Sequence, residues 1–234
     1  MLADRMKNIK PSGIRRMFNI AQQMKNPINL GLGEPDFDIP EPLKEVGIES
    51  IRQGFNKYTP TQGIPELREK IAEVMQRRSI RYEELLVTSG VTGGLAMSIM
   101  ALVNPGDEVL IPDPYFVAYE FAVLMFGGVP VFVDTYPDFQ LREEAIASKI
   151  TEKSKIILVN SPNNPTGAVY SRGELEMVSR LADQHNLTII SDEIYDQFTY
   201  DGVEHVSLGQ LTDGVITLNG FSLKLYVCPF FVHT

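Results

Sequence analysis

Residues 156–195 limit the possible folds of this chain more than any other stretch of its sequence. An apolar run at residues 156–159 leads into a loop rich in Asn, Pro and Gly; a helix-like segment follows, and a second apolar run occupies residues 187–190. Runs that are almost entirely apolar are typical of parallel strands whose sheet is covered on both faces. The stretch is therefore predicted to form a strand–helix–strand unit with a right-handed crossover.

The helix of this unit has recognisable ends. Ser171 with Glu174 three residues later is a capping-box pattern, which marks a helix start. The apolar residues that follow recur at helical spacing and predict one buried face. Asn186 stands where a helix-terminating residue is expected. A helix is therefore predicted to begin after Ser171 and to end near Asn186.

Each predicted strand of the unit is followed by polar residues. Asn164 lies in the loop after the first strand, and Asp192 ends the second. In open α/β sheets, ligands bind outside the carboxyl ends of the strands. Asn164 and Asp192 are therefore the first candidates for site residues.

The rest of the sequence continues the alternation of strands and helices. Helices are predicted at residues 12–25, 42–53, 95–103 and 141–150 and from Pro65 onward, and strands at residues 85–88, 108–111, 129–133 and 215–218. This alternation predicts an α/β fold, a three-layer αβα arrangement with a mostly parallel central sheet.

A glycine-rich segment, Ser-Gly-Val-Thr-Gly-Gly, follows the predicted strand at residues 85–88. Backbone N–H groups at the start of a helix that follows such a turn can bind a phosphate. The same glycines are equally compatible with a tight turn that needs their conformational freedom. The segment is not a P-loop, because the Gly-Lys-Ser/Thr ending is absent.

Composition excludes several classes of partner. The formal net charge of −9 argues against nucleic acid, whose backbone is negative. The apolar run at residues 121–133 is too short to span a bilayer, so no membrane partner is expected. The single cysteine, Cys228, forbids an internal disulfide and suits a reducing compartment, so a cytoplasmic protein is expected. His185, His205 and His233 lack ligand spacing, and no metal site is expected.

Seven short motifs occur together in one order between residues 29 and 222: LGLGEPDF, YTPTQGIPELREKIA, VTSGVTGGL, PDPYFVAY, NSPNNPTG, SDEIY and NGFS. With them the chain resembles the class I/II aminotransferases among the fold-type I pyridoxal-phosphate enzymes. NSPNNPTG together with SDEIY is the most specific part. The resemblance implies pyridoxal 5'-phosphate as cofactor and the large domain of that fold type.

The resemblance also implies roles for particular residues. Asp192 matches the aspartate that pairs with the pyridine nitrogen of the cofactor, while Asn164 and Tyr195 match the residues that hydrogen-bond its phenolic oxygen. Phe116 matches the aromatic residue that stacks on the ring. The remaining matches to cofactor-binding positions are Gly90, Val91 and Thr92 for the phosphate, and Ser222.

Two further matches concern substrate and assembly. Gly33 matches a backbone position near the substrate carboxylate. Tyr58 matches a tyrosine that reaches the phosphate of the neighbouring subunit, which implies a homodimer with shared sites. From the local pattern alone, Tyr58 reads as a surface aromatic residue. Tyr115, Tyr119 and the loop near Ile39 are candidates for side-chain selection.

The catalytic lysine departs from the family pattern. The family places it directly after the serine of NGFS, where this chain has Leu223, and Lys224 follows one residue later. Lys224 is the predicted catalytic residue if the loop bulges to absorb the extra residue. The resemblance divides the chain into an N-terminal arm and small-domain segment (1–40), an incomplete large domain (41–222) and an atypical tail (223–234). It implies a C-terminally truncated form that lacks the small domain.

The expected function is amino transfer between an amino acid and a 2-oxo acid, of the aspartate- and aromatic-type subgroup, impaired in this chain. Two alternatives stay open. One is an inactive fragment with residual or no cofactor binding. The other is a pyridoxal-phosphate-dependent lyase or decarboxylase, because the cofactor-binding residues would be the same.

Overall fold

Strands and helices alternate along most of the chain in the computed structural model. It describes residues 37–221 continuously, residues 6, 13, 17, 20–26 and 28 before them, and residues 231–233 after them. The helices are α1 (Glu41–Arg52), α2 (Pro65–Arg77), α3 (Gly90–Leu102), α4 (Ala118–Met125), α5 (Glu143–Ala147) and α6 (Arg172–His185). The strands are β1 (Leu86–Thr88), β2 (Glu108–Asp113), β3 (Val129–Asp134), β4 (Ser154–Asn160), β5 (Thr188–Asp192), β6 (Val215–Gly220) and β7 (Phe231–His233).

The strands form one sheet in the order β1-β7-β6-β5-β4-β2-β3. Neighbouring strands from β6 to β3 are parallel, and β7 is antiparallel to both β6 and β1. The predicted mostly parallel sheet is confirmed. No pattern in the sequence predicted β7, whose residues fall within the segment assigned to an atypical tail.

Helices cover both faces of this sheet. Along β4, Ile156 and Leu158 pack in a cluster with α3 and α4, whereas Ile157 and Val159 pack in a second cluster with α5 and α6. Successive side chains of a strand point to opposite faces, so an entirely apolar strand can serve two cores at once. The three-layer arrangement predicted from the apolar runs is confirmed.

Two helices differ from their predicted bounds. Helix α3 begins at Gly90, five residues before the predicted start, because Gly90 and Gly94 are buried and the packing outweighs the low helix propensity of glycine. Helix α5 covers only Glu143–Ala147 rather than residues 141–150. The backbone N–H of Leu141 donates instead to Glu174 Oε1, at 2.9 Å, and the chain before α5 stays extended. Of the predicted helix at residues 12–25, residues 13, 17, 20 and 21 have helical backbone, residues 22–25 form turns and bends, and the other positions lie outside the described residues.

Helix α6 has the ends that its sequence predicts. Ser171 Oγ accepts from the backbone N–H of Glu174, and the Glu174 side chain accepts from the backbone N–H of Ser171 at 2.8 Å. Asn186 adopts the left-handed conformation, with φ of 53°. Within the described residues, every helix is too short or too polar to serve as a membrane span.

Removing the cap of α6 should cost stability. We expect Ser171→Ala to lower the free energy of unfolding by about 1 kcal/mol, because the backbone N–H of Glu174 in the first turn loses its acceptor. Urea denaturation followed by circular dichroism measures the loss. Ser148→Ala is the matched control, since its exposed hydroxyl donates only to the Ala145 carbonyl nearby. Equal effects of the two substitutions would contradict the role of the cap.

Candidate active site

The candidate site lies where the carboxyl ends of β4 and β5 meet. Asn160 ends β4, Asp192 ends β5, and the two residues are paired in the parallel register. The Asn160 side-chain amide donates to the Asp192 carbonyl oxygen at 2.9 Å, so the ends of both strands are tied together. Asp192 therefore lies at the carboxyl end of its strand, as predicted from the sequence, and a second polar residue, Asn160, ends the adjacent strand.

The carboxylate of Asp192 is buried, with the residue 3% exposed. The Tyr119 hydroxyl of α4 donates to its Oδ2 at 2.8 Å, and the Ile194 backbone N–H donates to its Oδ1 at 3.1 Å. Burial raises the pKa of Asp192 to about 6, the two hydrogen bonds oppose the rise, and the charge of Glu193 adds to it. A cation that binds beside such a buried carboxyl group stabilises its ionised form.

Asn164 and Tyr195, predicted to act on one ligand atom, lie together. The Asn164 side-chain amide donates to the Tyr195 hydroxyl oxygen at 3.3 Å. Asn160 Oδ1 accepts from the backbone N–H of Asn164 at 2.7 Å, which links this pair to the strand end that carries Asp192. Burial raises the pKa of the Tyr195 hydroxyl, although the Asn164 hydrogen bond opposes the rise. The hydroxyl is therefore a proton donor at neutral pH.

The glycine-rich segment forms the first turn of α3. Gly90 has a φ of +83°, and the Thr88 hydroxyl donates to its carbonyl oxygen at 3.0 Å. The residue at the helix cap, Ser89, makes no side-chain hydrogen bond to the turn, and the turn contains no acidic residue. The first N–H groups of a helix have no partner within the helix, and the helix dipole favours an anion there.

The aromatic residues after β2 have different roles. The Phe116 ring meets the Tyr119 ring edge-on, with centroids 5.6 Å apart, and so lies one ring away from Asp192. The Tyr115 ring stacks on Phe132 at 4.8 Å, and its hydroxyl donates to Glu120 at 2.9 Å. Tyr115 is therefore held by its contacts with β3 and α4.

Of the remaining residues to which the resemblance assigns a role in the site, the structure describes only Tyr58. Tyr58 is fully exposed in the loop before α2. Gly33, Ser222 and Lys224 lie outside the described residues.

Two residues of this site were not predicted in their observed roles. Tyr119, considered only for side-chain selection, holds the Asp192 carboxylate across 73 positions of sequence. No role in the site was predicted for Asn160, although it ends an apolar strand, which is the same feature that identified Asp192. Contacts such as that of Tyr119 leave no local pattern in a sequence.

Substituting Gly90 tests the conformation of this turn. We expect Gly90→Ala to destabilise the chain by about 1–2 kcal/mol, because a side chain is strained at positive φ. Gly93→Ala is the matched control three residues along the same helix. Its Cβ would meet no atom closer than 3.5 Å, so better helix propensity should leave stability unchanged or raised. Thermal unfolding of both variants measures the difference, and a neutral Gly90→Ala would contradict the strained conformation.

Comparison with known proteins decides the family. Residues 25–225 match the model of the family described as aminotransferase class I and II. The chain belongs to this family. An aspartate aminotransferase of Pyrococcus abyssi is 43% identical over 231 residues, and an aromatic-amino-acid aminotransferase of Thermococcus litoralis is 41% identical over the same length. The resemblance carried by the motifs is confirmed.

Solved aminotransferases share the fold. A Thermus thermophilus aspartate aminotransferase solved with maleate superimposes with a TM-score of 0.92 at 38% identity, covering 100% of this chain and 64% of that one. A Pyrococcus structure described as protein-A1 gives a TM-score of 0.94 at 39% identity, covering 99% and 63%. The alignments to the two sequence relatives cover 94% of this chain, which spans 59% of the length of those relatives.

Proposed function

We propose that this chain binds pyridoxal 5'-phosphate at the carboxyl ends of β4 and β5 and catalyses amino transfer between an amino acid and a 2-oxo acid. The observation that carries the proposal is the buried Asp192 carboxylate, held by Tyr119 beside the Asn164–Tyr195 pair. The described residues fit this cofactor. They offer a carboxylate to its basic nitrogen, neutral polar groups to its phenolic oxygen and the start of a helix to its phosphate. Membership of the aminotransferase family supports the choice.

Asp192 would hold the ring nitrogen in its protonated form. Placing a cation beside the carboxylate would offset the burial that raises the pKa of Asp192. When bound, the cofactor supplies an electron-poor ring that accepts the electron pair left by removal of a substrate α-proton. Tyr119 would keep the carboxylate oriented toward that nitrogen throughout.

Other residues would hold the rest of the cofactor. Asn164 and Tyr195 would both donate to the phenolic oxygen, since their polar groups already adjoin. The N–H groups of residues 90–92 would bind the phosphate at the start of α3, and Ser222 would add a hydroxyl. Phe116 would cover one face of the ring, because its own ring adjoins that of Tyr119.

Proton transfer at the substrate needs a base, and Lys224 is the proposed one. It stands one residue later than the family pattern places its lysine, so we expect weak amino transfer by this chain. Gly33 would contact the substrate carboxylate through its backbone. Relatives named as aspartate and aromatic-amino-acid aminotransferases support substrates of that subgroup.

A homodimer is part of the proposal. No residue of α1 is buried, and Leu43, Val46 and Ile51 on this helix are 38%, 63% and 70% exposed. Tyr58 is also fully exposed. An exposed apolar surface of this kind fits a protein partner, and a second copy would receive Tyr58 at its phosphate site. The cytoplasmic location inferred from the single cysteine stays a prediction.

Cofactor binding tests the proposal directly. The purified chain is titrated with pyridoxal phosphate, reduced with borohydride and digested, and the labelled peptide is located by mass spectrometry. We expect saturable binding, with any covalent label at Lys224 and none in Lys224→Ala. Absence of saturable binding would overturn the proposed function. A stoichiometric label with rapid turnover would contradict only the expected impairment.

The reaction type is tested with the same preparation. Amino donors are offered with and without a 2-oxo acid, and the new amino acid, ammonia and CO2 are measured. Amino transfer should depend on the 2-oxo acid. Release of ammonia or CO2 without it would instead favour a lyase or a decarboxylase.

A further inference from the structure

Glu193, the residue after Asp192, lies on the opposite side of the sheet. Asp192 reaches Tyr119 in the layer of α3 and α4, whereas Glu193 reaches Ser207 and Leu208. Leu208 belongs to the apolar cluster of α5 and α6. This follows from strand geometry, in which adjacent side chains alternate between faces. Two neighbouring carboxylates at one strand end therefore have separate surroundings.

The Glu193 carboxylate is enclosed by hydrogen-bond donors, and the residue is 1% exposed. Its Oε1 accepts from the hydroxyls of Ser191 at 2.9 Å and Ser207 at 2.8 Å, and from the Leu208 N–H at 3.2 Å. Its Oε2 lies 3.1 Å from His205 Nε2. Burial of a carboxylate is costly unless it is paired and hydrogen-bonded, and here both oxygens are bound.

His205 contacts the Glu193 carboxylate through one of its two ring nitrogens. Nε2 faces a carboxylate oxygen and therefore carries the proton that the hydrogen bond needs. Nδ1 is buried and has no hydrogen-bond partner among the described residues. The ring therefore adds its Nε2 to the groups that surround the Glu193 carboxylate. The charge of this carboxylate lies next to Asp192 and raises the pKa of Asp192.

Backbone hydrogen bonds connect the position of Glu193 to that of Asp192. The Glu193 N–H donates to the Leu218 carbonyl of β6 at 2.8 Å, and the next N–H, that of Ile194, donates to Asp192 Oδ1 at 3.1 Å. Movement of the Glu193 side chain would therefore shift the peptide groups on both sides of it.

We propose that Glu193 is a positioning residue for Asp192, fixing the strand end that presents the Asp192 carboxylate to the cofactor nitrogen. The proposal rests on the function proposed above. For stability alone, a buried ion-bearing cluster is a weak choice, since apolar replacements of such pairs are often neutral or stabilising. Because Glu193 is adjacent to Asp192, the cluster can fix the position of Asp192, which an apolar core at this place would not do.

Carboxyl titration of the chain without cofactor tests the proposal. Side-chain 13C-labelled aspartate is followed by NMR against pH in the parent and in Glu193→Gln, with Asp192 assigned by Asp192→Asn. We expect a lower Asp192 pKa in Glu193→Gln, because the strand end loosens toward water and a repelling charge is removed. Ser207→Ala, which removes one donor and keeps the charge, should shift the Asp192 pKa in the same direction by less.

Glu174→Gln is the matched control, since it weakens the capping box of α6 without touching the strand end. It should lower stability and leave the Asp192 titration unchanged. An unchanged or raised Asp192 pKa in both folded Glu193→Gln and Ser207→Ala would overturn the proposal. If Glu193→Gln does not fold, the titration of Ser207→Ala alone decides.

A coupling measurement gives a second readout. Glu193→Gln should weaken pyridoxal phosphate binding in the parent and have no effect in the Asp192→Asn background, because Glu193 acts through Asp192. Equal losses in both backgrounds would overturn the proposal. Failure of the parent to bind the cofactor would instead overturn the proposed function, and the carboxyl titration would still decide the role of Glu193.

Discussion

Asp192→Asn should weaken pyridoxal phosphate binding by about 10- to 100-fold. A hydrogen bond to a charged group contributes about 1.5–3 kcal/mol, which corresponds to that range in affinity. The substitution keeps the shape of the site. The amide oxygen can accept from the Ile194 N–H, and the amide N–H can donate to Tyr119, whose hydroxyl turns to accept. The loss then reports the charge of Asp192 and not a collapse of the strand end.

Affinity is measured by titration of the cofactor absorbance or of tyrosine fluorescence. Asp134→Asn provides a matched control, because Asp134 also ends a parallel strand, β3, and is exposed at the sheet edge. Its affinity should equal that of the parent. An unchanged affinity in Asp192→Asn, or the same loss in Asp134→Asn, would contradict the proposed contact with the ring nitrogen.

The same carboxylate should make the cofactor-free chain less stable as pH rises. Burial raises the pKa of Asp192 from 3.8 to about 6 in the folded state, so the folded chain holds a proton that the unfolded chain has already released. The stabilisation is complete below about pH 4, falls as pH rises through about 6, and is lost above it. The difference between the two pKa values corresponds to about 3 kcal/mol in the free energy of unfolding.

Comparison with Asp192→Asn isolates this effect from other groups. Exposed carboxylates such as Asp38, Glu73 and Asp138 have lowered pKa values from nearby cations, and they change stability in the opposite direction. They are present in both proteins and cancel in the difference. Urea denaturation between pH 4 and 7 should show the parent losing stability relative to Asp192→Asn. A difference that is constant over this range would show that Asp192 has its ordinary pKa.

Cofactor binding should reverse the loss. A protonated ring nitrogen beside Asp192 favours the ionised carboxylate, so saturating pyridoxal phosphate should restore stability at neutral pH. The same residue then costs stability in the free chain and contributes affinity in the bound one, as is common where function requires a buried charge.

Local patterns in the sequence determined much of the fold. Apolar runs predicted most of the strands of the sheet, because a buried parallel strand needs apolar residues on both faces. The ends of α6 were predictable because a capping box involves residues only three positions apart. Asn164 and Asp192 were predictable as candidates because a strand end marks the sheet edge where ligands bind.

Tertiary structure alone decided the features that depend on distant residues. The place of β7 between β6 and β1 depends on pairing with β1, a strand far earlier in the chain. The early start of α3 depends on burial of glycines whose propensity disfavours a helix. The raised pKa of Asp192 depends on burial, and its orientation depends on the hydroxyl of Tyr119. Periodicity and capping act over a few residues, whereas burial and these contacts exist only after the layers pack.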